Sequence, residues 1–323
     1  MKISVALCTY NGEKFLKEQI DSILNQTMKV NEIVICDDIS TDNTLSLLDD
    51  YSNKNLNLFK IYKNEINLKS VKNFEKAIEL CSGDIIFLSD QDDIWVENKV
   101  EDYVNHFNNH PNINVLASNG YCIDQNSNVH EKYAFWDAPQ FLKDLNIEFD
   151  YYKIITHISN IATGASMAFR KSIVPEILPF PLMNNFHHDE WIAIISSSTN
   201  SFDLLNKKYF YYRIHDNQQV GGIFYEKKIR RKKMILDLFD VESSNCIFKN
   251  YKNKIKKIGL SFERNYNLSN LTHNHQELFK KNIYSIENLY NFNKIKFRKS
   301  YPIKSFFLSI SDKILNKRQE LNK

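Results

Sequence analysis

The sequence predicts an α/β protein: a mostly parallel central sheet flanked by helices, extended by a basic helical C-terminal region. Three observations carry this. Short apolar, β-favouring runs alternate with helical spacings and brief connections over the first hundred residues, the signature of a parallel sheet covered on both faces. Each of the clearest strands ends in a polar turn, two of them rich in carboxylates. The charge is divided: residues 1–224 hold 19 Lys+Arg against 30 Asp+Glu, whereas 225–323 hold 23 against 9. The net charge of +3 therefore hides an acidic part and a basic tail with different tasks.

The elements follow in order. Residues 3–8 read as a buried strand ending in the turn Thr9-Tyr10-Asn11-Gly12, and Phe15, Leu16, Ile20, Ile23 and Leu24 recur at helical spacing. Residues 32–36 form a second strand that ends in Asp37-Asp38-Ile39-Ser40-Thr41-Asp42, followed by a helix carrying Leu45, Leu48 and Tyr51. A third strand is expected over 56–62, a third helix through Val71, Phe74, Ala77, Ile78 and Cys81, and a fourth strand over 85–88. That strand releases Asp90-Gln91-Asp92-Asp93, ahead of a helix starting near Val96 for which Asp93 is a good N-cap. Right-handed crossovers put every strand's carboxyl end on one edge, so Tyr10, Asp38 and Asp90–Asp93 should line one rim, where open α/β sheets bind ligands.

Further along, 114–123 reads as a strand, 124–150 as a loop-like segment with Trp136, and 163–170 as a small-residue turn and strand. His187-His188-Asp189-Glu190-Trp191 opens an apolar helix, and strands are expected over 202–205 and 209–214, ending in His215-Asp216-Asn217. From 225 onward, basic and apolar residues interleave as in amphipathic helices with basic polar faces. The expected division is 1–110 and 111–224 as two halves of one domain, with 225–323 as the basic helical region.

Several function classes drop out. Only seven glycines are present, with no GxGxxG and no GxxxxGK[ST], so glycine-rich phosphate cradles are nearly excluded. The five cysteines are odd in number and lack metal-ligand spacing, which suits buried free thiols in a reducing cytoplasm. The N-terminal apolar stretch is too short for a signal peptide and no run nears the length of a membrane span. Basic residues without a recognition motif do not specify nucleic acid.

Three carboxylates against a buried strand repel one another unless a cation or protons intervene. Clustered oxygen ligands suit a hard divalent cation that grips substrate phosphates; a solvated turn capping the next helix is the alternative. An acidic rim beside an aromatic suggests a nucleotide diphosphate, with Tyr10 and Asp38 holding base or ribose and the phosphates reaching a cation on Asp90 and Asp92.

Val5-Ala6-Leu7-Cys8-Thr9-Tyr10-Asn11, Cys36-Asp37-Asp38-Ile39-Ser40-Thr41-Asp42-Asn43-Thr44 and Asp90-Gln91-Asp92-Asp93-Ile94-Trp95 resemble the successive motifs of family 2 inverting glycosyltransferases with the GT-A fold. Ser89–Trp95, with His188-Asp189 and Tyr212-Arg213-Ile214-His215, is similar to the rhamnosyltransferase-like branch and carries the resemblance to about residue 222. The resemblance implies that Asp38 contacts a uracil or thymine ring on which Tyr10 packs. It implies that Asp90 lies near ribose and metal, that Asp92 ligates Mg²⁺ or Mn²⁺ with the diphosphate, and that His215 completes the metal or phosphate site. Asp189 would be the general base of a single displacement, or a helix cap, and both can hold together. Arg213 pairs with a phosphate or with a rim carboxylate; His215 is a ligand or a structural histidine. A glycine is usual where Ile39 stands, which puts a left-handed turn there in question.

The expected reaction is sugar transfer from dTDP-rhamnose or a UDP-hexose to a growing, lipid-linked cell-surface glycan, on the cytoplasmic side. The basic tail either adheres to an anionic membrane surface or packs on protein. A non-catalytic nucleotide-sugar-binding module is the alternative; a nucleotidyltransferase is disfavoured by the missing glycine-rich loop.

Overall fold

The computed structural model describes residues 1–216, 224–243, 246–314 and 321. The first seven elements alternate as expected: β1 (Ile3–Thr9), α1 (Leu16–Leu24), β2 (Glu32–Asp37), α2 (Thr44–Lys54), β3 (Phe59–Lys63), α3 (Lys69–Leu80) and β4 (Ile85–Ser89). Next come β5 (Ile94–Trp95), α4 (Lys99–Asn109), β6 (Val115–Ile123), β7 (Val129–His130) and β8 (Lys132–Ala134). Then follow α5 (Ala138–Lys143), α6 (Tyr151–His157), β9 (Ala168–Arg170), α7 (Val174–Ile177), α8 (His188–Ser198), β10 (Phe202–Arg213) and β11 (Phe224–Glu226). The chain ends in α9 (Ile229–Phe239), α10 (Phe248–Leu271), α11 (Gln276–Ser300) and α12 (Pro302–Ile314). Two compact units result, Met1–Asp137 with Ala162–Tyr225, and Ala138–Ile161 with Glu226–Lys323.

The first unit is built on a sheet of order β3-β2-β1-β4-β9-β6-β10-β5, with β7 beside β6. β1 to β4 pair in parallel. β9 runs against both β4 and β6, so β6 regains the direction of β4, and β10 continues it. The pleat sorts the apolar runs onto two faces. Val5, Leu7, Ile33, Ile35, Ile85 and Phe87 join α1, α2 and α4 in one core. Within α1, Leu16, Gln19, Ile20 and Ile23 are the buried stripe, and within α3 it is Asn73, Phe74, Ala77 and Ile78.

The second unit is helical. α10 and α11 pack along each other around a polar thread: Tyr152 Oη donates to Asn282 Oδ1 (2.7 Å), whose Nδ2 donates to Asn265 Oδ1 (3.0 Å). Lys254, fully buried, donates to the carbonyls of Asp240 (2.6 Å) and Ser243 (3.0 Å).

Some expected boundaries move. The third strand begins at Phe59 because the preceding turn takes Asn57 to φ 71°. Ile94 and Trp95 pair antiparallel with β10, so the next helix starts at Lys99 behind Asn98 and Asp93 caps nothing. The two strands expected over 202–214 are one, with register irregularities after Leu205 and Lys208. The segment 124–150 contains β7, β8 and α5 rather than loop alone. Asn217 and the close of the motif region near 222 lie outside the described residues.

Candidate active site

The parallel register brings Thr9 beside Asp37 and Leu7 beside Ser89, so the polar turns after β1, β2 and β4 leave one edge together. They are then tied to each other. Tyr10 N donates to Gln91 Oε1 (2.8 Å) and Gln91 Nε2 returns a bond to Tyr10 O (3.0 Å). Asn11 N donates to Ser40 Oγ (2.9 Å), and Asn11 Oδ1 accepts from Thr41 N (2.8 Å). Asp38 N donates to Thr9 O (2.8 Å). A Cβ on Gly12 would stand 2.3 Å from Gln91 Oε1, so a larger residue there would push the Gln91 side chain away from Tyr10. The left-handed turn is retained without its glycine: Ile39 has φ 66°, a strained conformation for a β-branched residue.

On this rim the Tyr10 ring is half-exposed, and Asp38 is 3% exposed. The Asp38 carboxylate accepts from Asn64 Nδ2 (2.8 Å), Leu68 N (2.7 Å) and Lys69 N (2.9 Å), tying the start of α3 to the rim. Three of its roughly four acceptor positions are filled.

The acidic loop is joined from the far end of β10. His215 Nε2 lies 2.8 Å from Asp92 Oδ2, and its ring packs on Phe15 with centroids 4.9 Å apart. The fully buried Arg213 resolves to the rim-carboxylate alternative: its Nη2 donates to Glu18 Oε2 (2.8 Å). Its other donors reach Asp92 O (2.7 Å from Nε), and Ser127 Oγ (2.9 Å) and Asp124 O (3.2 Å from Nη1). Its backbone N–H donates to Asp93 Oδ1 (3.0 Å). A guanidinium so engaged braces the loop.

Burial first, then the charges of Asp92 and Asp189, push the Asp90 carboxyl up to about 7, with Lys99 opposing. Asp93 is raised well above the usual range by burial, Asp92 and Asp90, and its buried Oδ2 has no hydrogen-bond partner among the described residues. Beneath them lies Lys99, fully buried, its Nζ donating to Ala165 O (2.8 Å) and standing 4.0 Å from the centre of the Trp95 ring. Burial lowers its ammonium to about 7, against the pull of Asp93 and Asp90.

Asp189 enters the same field from the first turn of α8. Its carboxylate accepts the Glu190 N–H (2.8 Å) and the Gly164 N–H. Burial lifts it to about 6, with His187 opposing and Glu190 adding to the rise. A Cβ on Gly164 would lie 2.8 Å from Nε2 of the buried His188 ring, so glycine there lets the turn pack against that ring. The Gly164–Ser166 turn is held by Lys99 on Ala165 O and by Tyr103 Oη on Ser166 O (2.6 Å). His188 is buried against Phe74 (4.2 Å between ring centres), so it faces the core; burial drops its pKa to about 3.

Two residues beside these carboxylates are given no role by the sequence. Lys99 shares the buried face of α4 with Val100, Tyr103, Val104 and Phe107, a position whose lysine reads as solvated. Tyr212 lies within the charge field of Asp93, Asp90, Asp92 and Asp189, and burial together with those carboxylates raises its phenol. Its ring meets Trp136 (5.6 Å) and Phe224 (5.8 Å). The period of two from the buried Phe210 was the available signal.

The donor set suits a divalent cation of the Mg²⁺ or Mn²⁺ type. Asp92 with its adjoining imidazole, mutually raised carboxylates and a partnerless buried oxygen all favour added positive charge. Among the described residues no three His, Cys, Asp or Glu side chains close around a common point. One or two carboxylates plus phosphate oxygens and waters are what Mg²⁺ ordinarily uses.

Known proteins give this arrangement its relatives. The glycosyl transferase family 2 model matches residues 4–178, more than half of the chain. The dTDP-rhamnosyl transferase RfbG of Shigella flexneri is 28% identical over 246 residues, 71% of this chain and 78% of that protein. The UDP-Glc:alpha-D-GlcNAc-diphosphoundecaprenol beta-1,3-glucosyltransferase WfgD of Escherichia coli is 26% identical over 199 residues, 62% of this chain and 72% of that protein. The crystal structure of S. aureus TarS 1-349 in complex with UDP-GlcNAc aligns with a TM-score of 0.56 at 18% identity, covering 98% of this chain and 90% of that one, a likeness of fold. With a GT-A fold and a family match over residues 4–178, more than half of its length, the chain belongs to glycosyl transferase family 2.

Proposed function

We propose that this glycosyltransferase moves a sugar from a dTDP- or UDP-linked donor, rhamnose or a hexose, to a growing, lipid-linked cell-surface glycan by one inverting displacement at the inner face of the cell membrane. The observation that carries the reading is convergence: the acidic loop, His215 and Asp189 meet in one charge field although they are spread over more than a hundred residues. The dTDP-rhamnosyl transfer of RfbG and the UDP-Glc and diphosphoundecaprenol substrates of WfgD support these donor and acceptor classes.

In this reading residues 1–110 serve the donor and 111–224 the acceptor, with 225–323 as the basic helical region. Tyr10 packs on the base, and Asp38 offers it the one acceptor position left open. Asp92, Asp90 and His215 would hold Mg²⁺ or Mn²⁺, which when bound neutralises charge on the departing diphosphate. Arg213 serves the donor through the loop it braces. Asp189 takes the proton from the acceptor hydroxyl as that oxygen attacks the anomeric carbon, and the N–H groups of Gly164 and Glu190 fix its aim. Tyr212, amid the same carboxylates, closes the aromatic side of the site.

Calorimetry with UDP and dTDP in the presence of Mn²⁺ tests the donor assignment: one of the two should bind, and binding of neither overturns it.

A further inference from the structure

The helical unit ends in a helix that is oriented the wrong way for a protein core. In α12, Ile303, Phe306, Phe307, Ile310 and Ile314 are 41–76% exposed, while the residue it buries is Ser305. At 3.6 residues per turn the five apolar side chains fall within an arc of about 100°, with Ser305 nearly opposite. Lys304 and Lys313 stand on the two margins of that arc, both exposed.

The charge around this face has one sign. Residues 291–314 contain Lys294, Lys296, Arg298, Lys299, Lys304 and Lys313 against the single acid Asp312. A second copy meeting this face about a two-fold axis would set Lys304 and Lys313 against their own like charges, which is unfavourable. An anionic lipid surface instead takes the apolar stripe between its acyl chains and the flanking ammonium groups at its phosphates. No helix among the described residues is long and apolar enough to cross a membrane, so such a helix lies along the surface.

We infer that α12 is an interfacial anchor whose Ile303–Phe306–Phe307–Ile310–Ile314 face inserts into an anionic bilayer. The inference deepens the proposed placement at a membrane face and rests on it for its setting. Vesicle binding and donor binding are separate measurements, so either can fail alone.

The test is co-sedimentation of the full chain with vesicles of equal parts phosphatidylglycerol and phosphatidylcholine, and with phosphatidylcholine alone. The wild-type chain should partition onto the anionic vesicles and much less onto the neutral ones. The double variant F306S/F307S should lose at least about tenfold in partitioning, and K304E/K313E should lose binding selectively on anionic vesicles. Both variants should keep the wild-type far-UV circular dichroism and nucleotide affinity, since these side chains are exposed and belong to no site described above. Equal partitioning of wild type and F306S/F307S overturns the inference. So does a wild-type dimer in sedimentation velocity that F306S/F307S abolishes while vesicles capture neither protein, which would assign the face to a second copy.

Discussion

The imidazole of His215 lies 2.8 Å from the carboxylate of Asp92, a residue 123 positions earlier in the chain. The contact links the end of β10 to the loop after β4, and it is the tightest side-chain test of the proposed cation site. His215→Ala should weaken Mn²⁺-dependent nucleotide binding by roughly 10–100-fold. In EDTA the variant and wild type should bind nucleotide equally, which isothermal titration would show. A loss of the same size without metal would make the histidine structural.

Asp189→Asn should leave donor affinity within about twofold and lower kcat by roughly 10²–10⁴-fold, the usual share of a general base. The base must be ionised to work, and burial lifts Asp189 to about 6. Turnover in the wild type should therefore rise with pH through about 6 and level off above it. A pH–rate profile flat from 5 to 8 would remove Asp189 from the proton transfer.

Ile39→Gly should stabilise the protein. Left-handed φ costs a side-chain-bearing residue about 1–2 kcal/mol, and the extra freedom of glycine in the unfolded chain returns about 0.5–1 kcal/mol. A net gain of about 1 kcal/mol corresponds to a melting temperature higher by about 2 °C. Thermal unfolding of the two proteins decides it, and a lower melting point would mean that the half-buried isoleucine contributes more in packing than its backbone costs.

Lys99→Met removes the buried cation that faces Asp90 and Asp93 and leaves Ala165 O without its donor. Breaking a buried charge arrangement by one partner costs about 3 kcal/mol, readable as a lower urea midpoint. The turn Gly164–Ser166 then loses one of its two ties to α4, so kcat should fall further than the nucleotide affinity does. A variant as stable as wild type would show Lys99 to be dispensable to the site.

The rim was legible because parallel buried strands write themselves as nearly continuous apolar runs, and Asp38 or Asp92 stands out at the end of each. The partners of those residues were not legible. Arg213 reaches Glu18 across 195 positions, and nothing in the local pattern of Tyr209–Ile214 announces a fully buried guanidinium. Lys99 was hidden by the rule that lysines near a helix start face water. Ile94 and Trp95 fit the beginning of the following helix, and only pairing with Phe210 and Tyr211, far later in the chain, makes them a strand. Ile39 broke a local rule and the turn survived, because Ser40, Asp37 and Asn11 hold it from three sides.

β10 is a single strand of twelve residues, and the groups it delivers to the acidic loop, Arg213 and His215, sit at its last residue or just past it. A polypeptide trimmed to the span 4–178, where family membership is written, would keep Tyr10, Asp38 and the acidic loop yet forfeit the clamp that steadies them and the side chain assigned to accept the proton. On the proposed roles, an active fragment must therefore extend at least through His215, and shorter pieces are expected to be inert even where they fold.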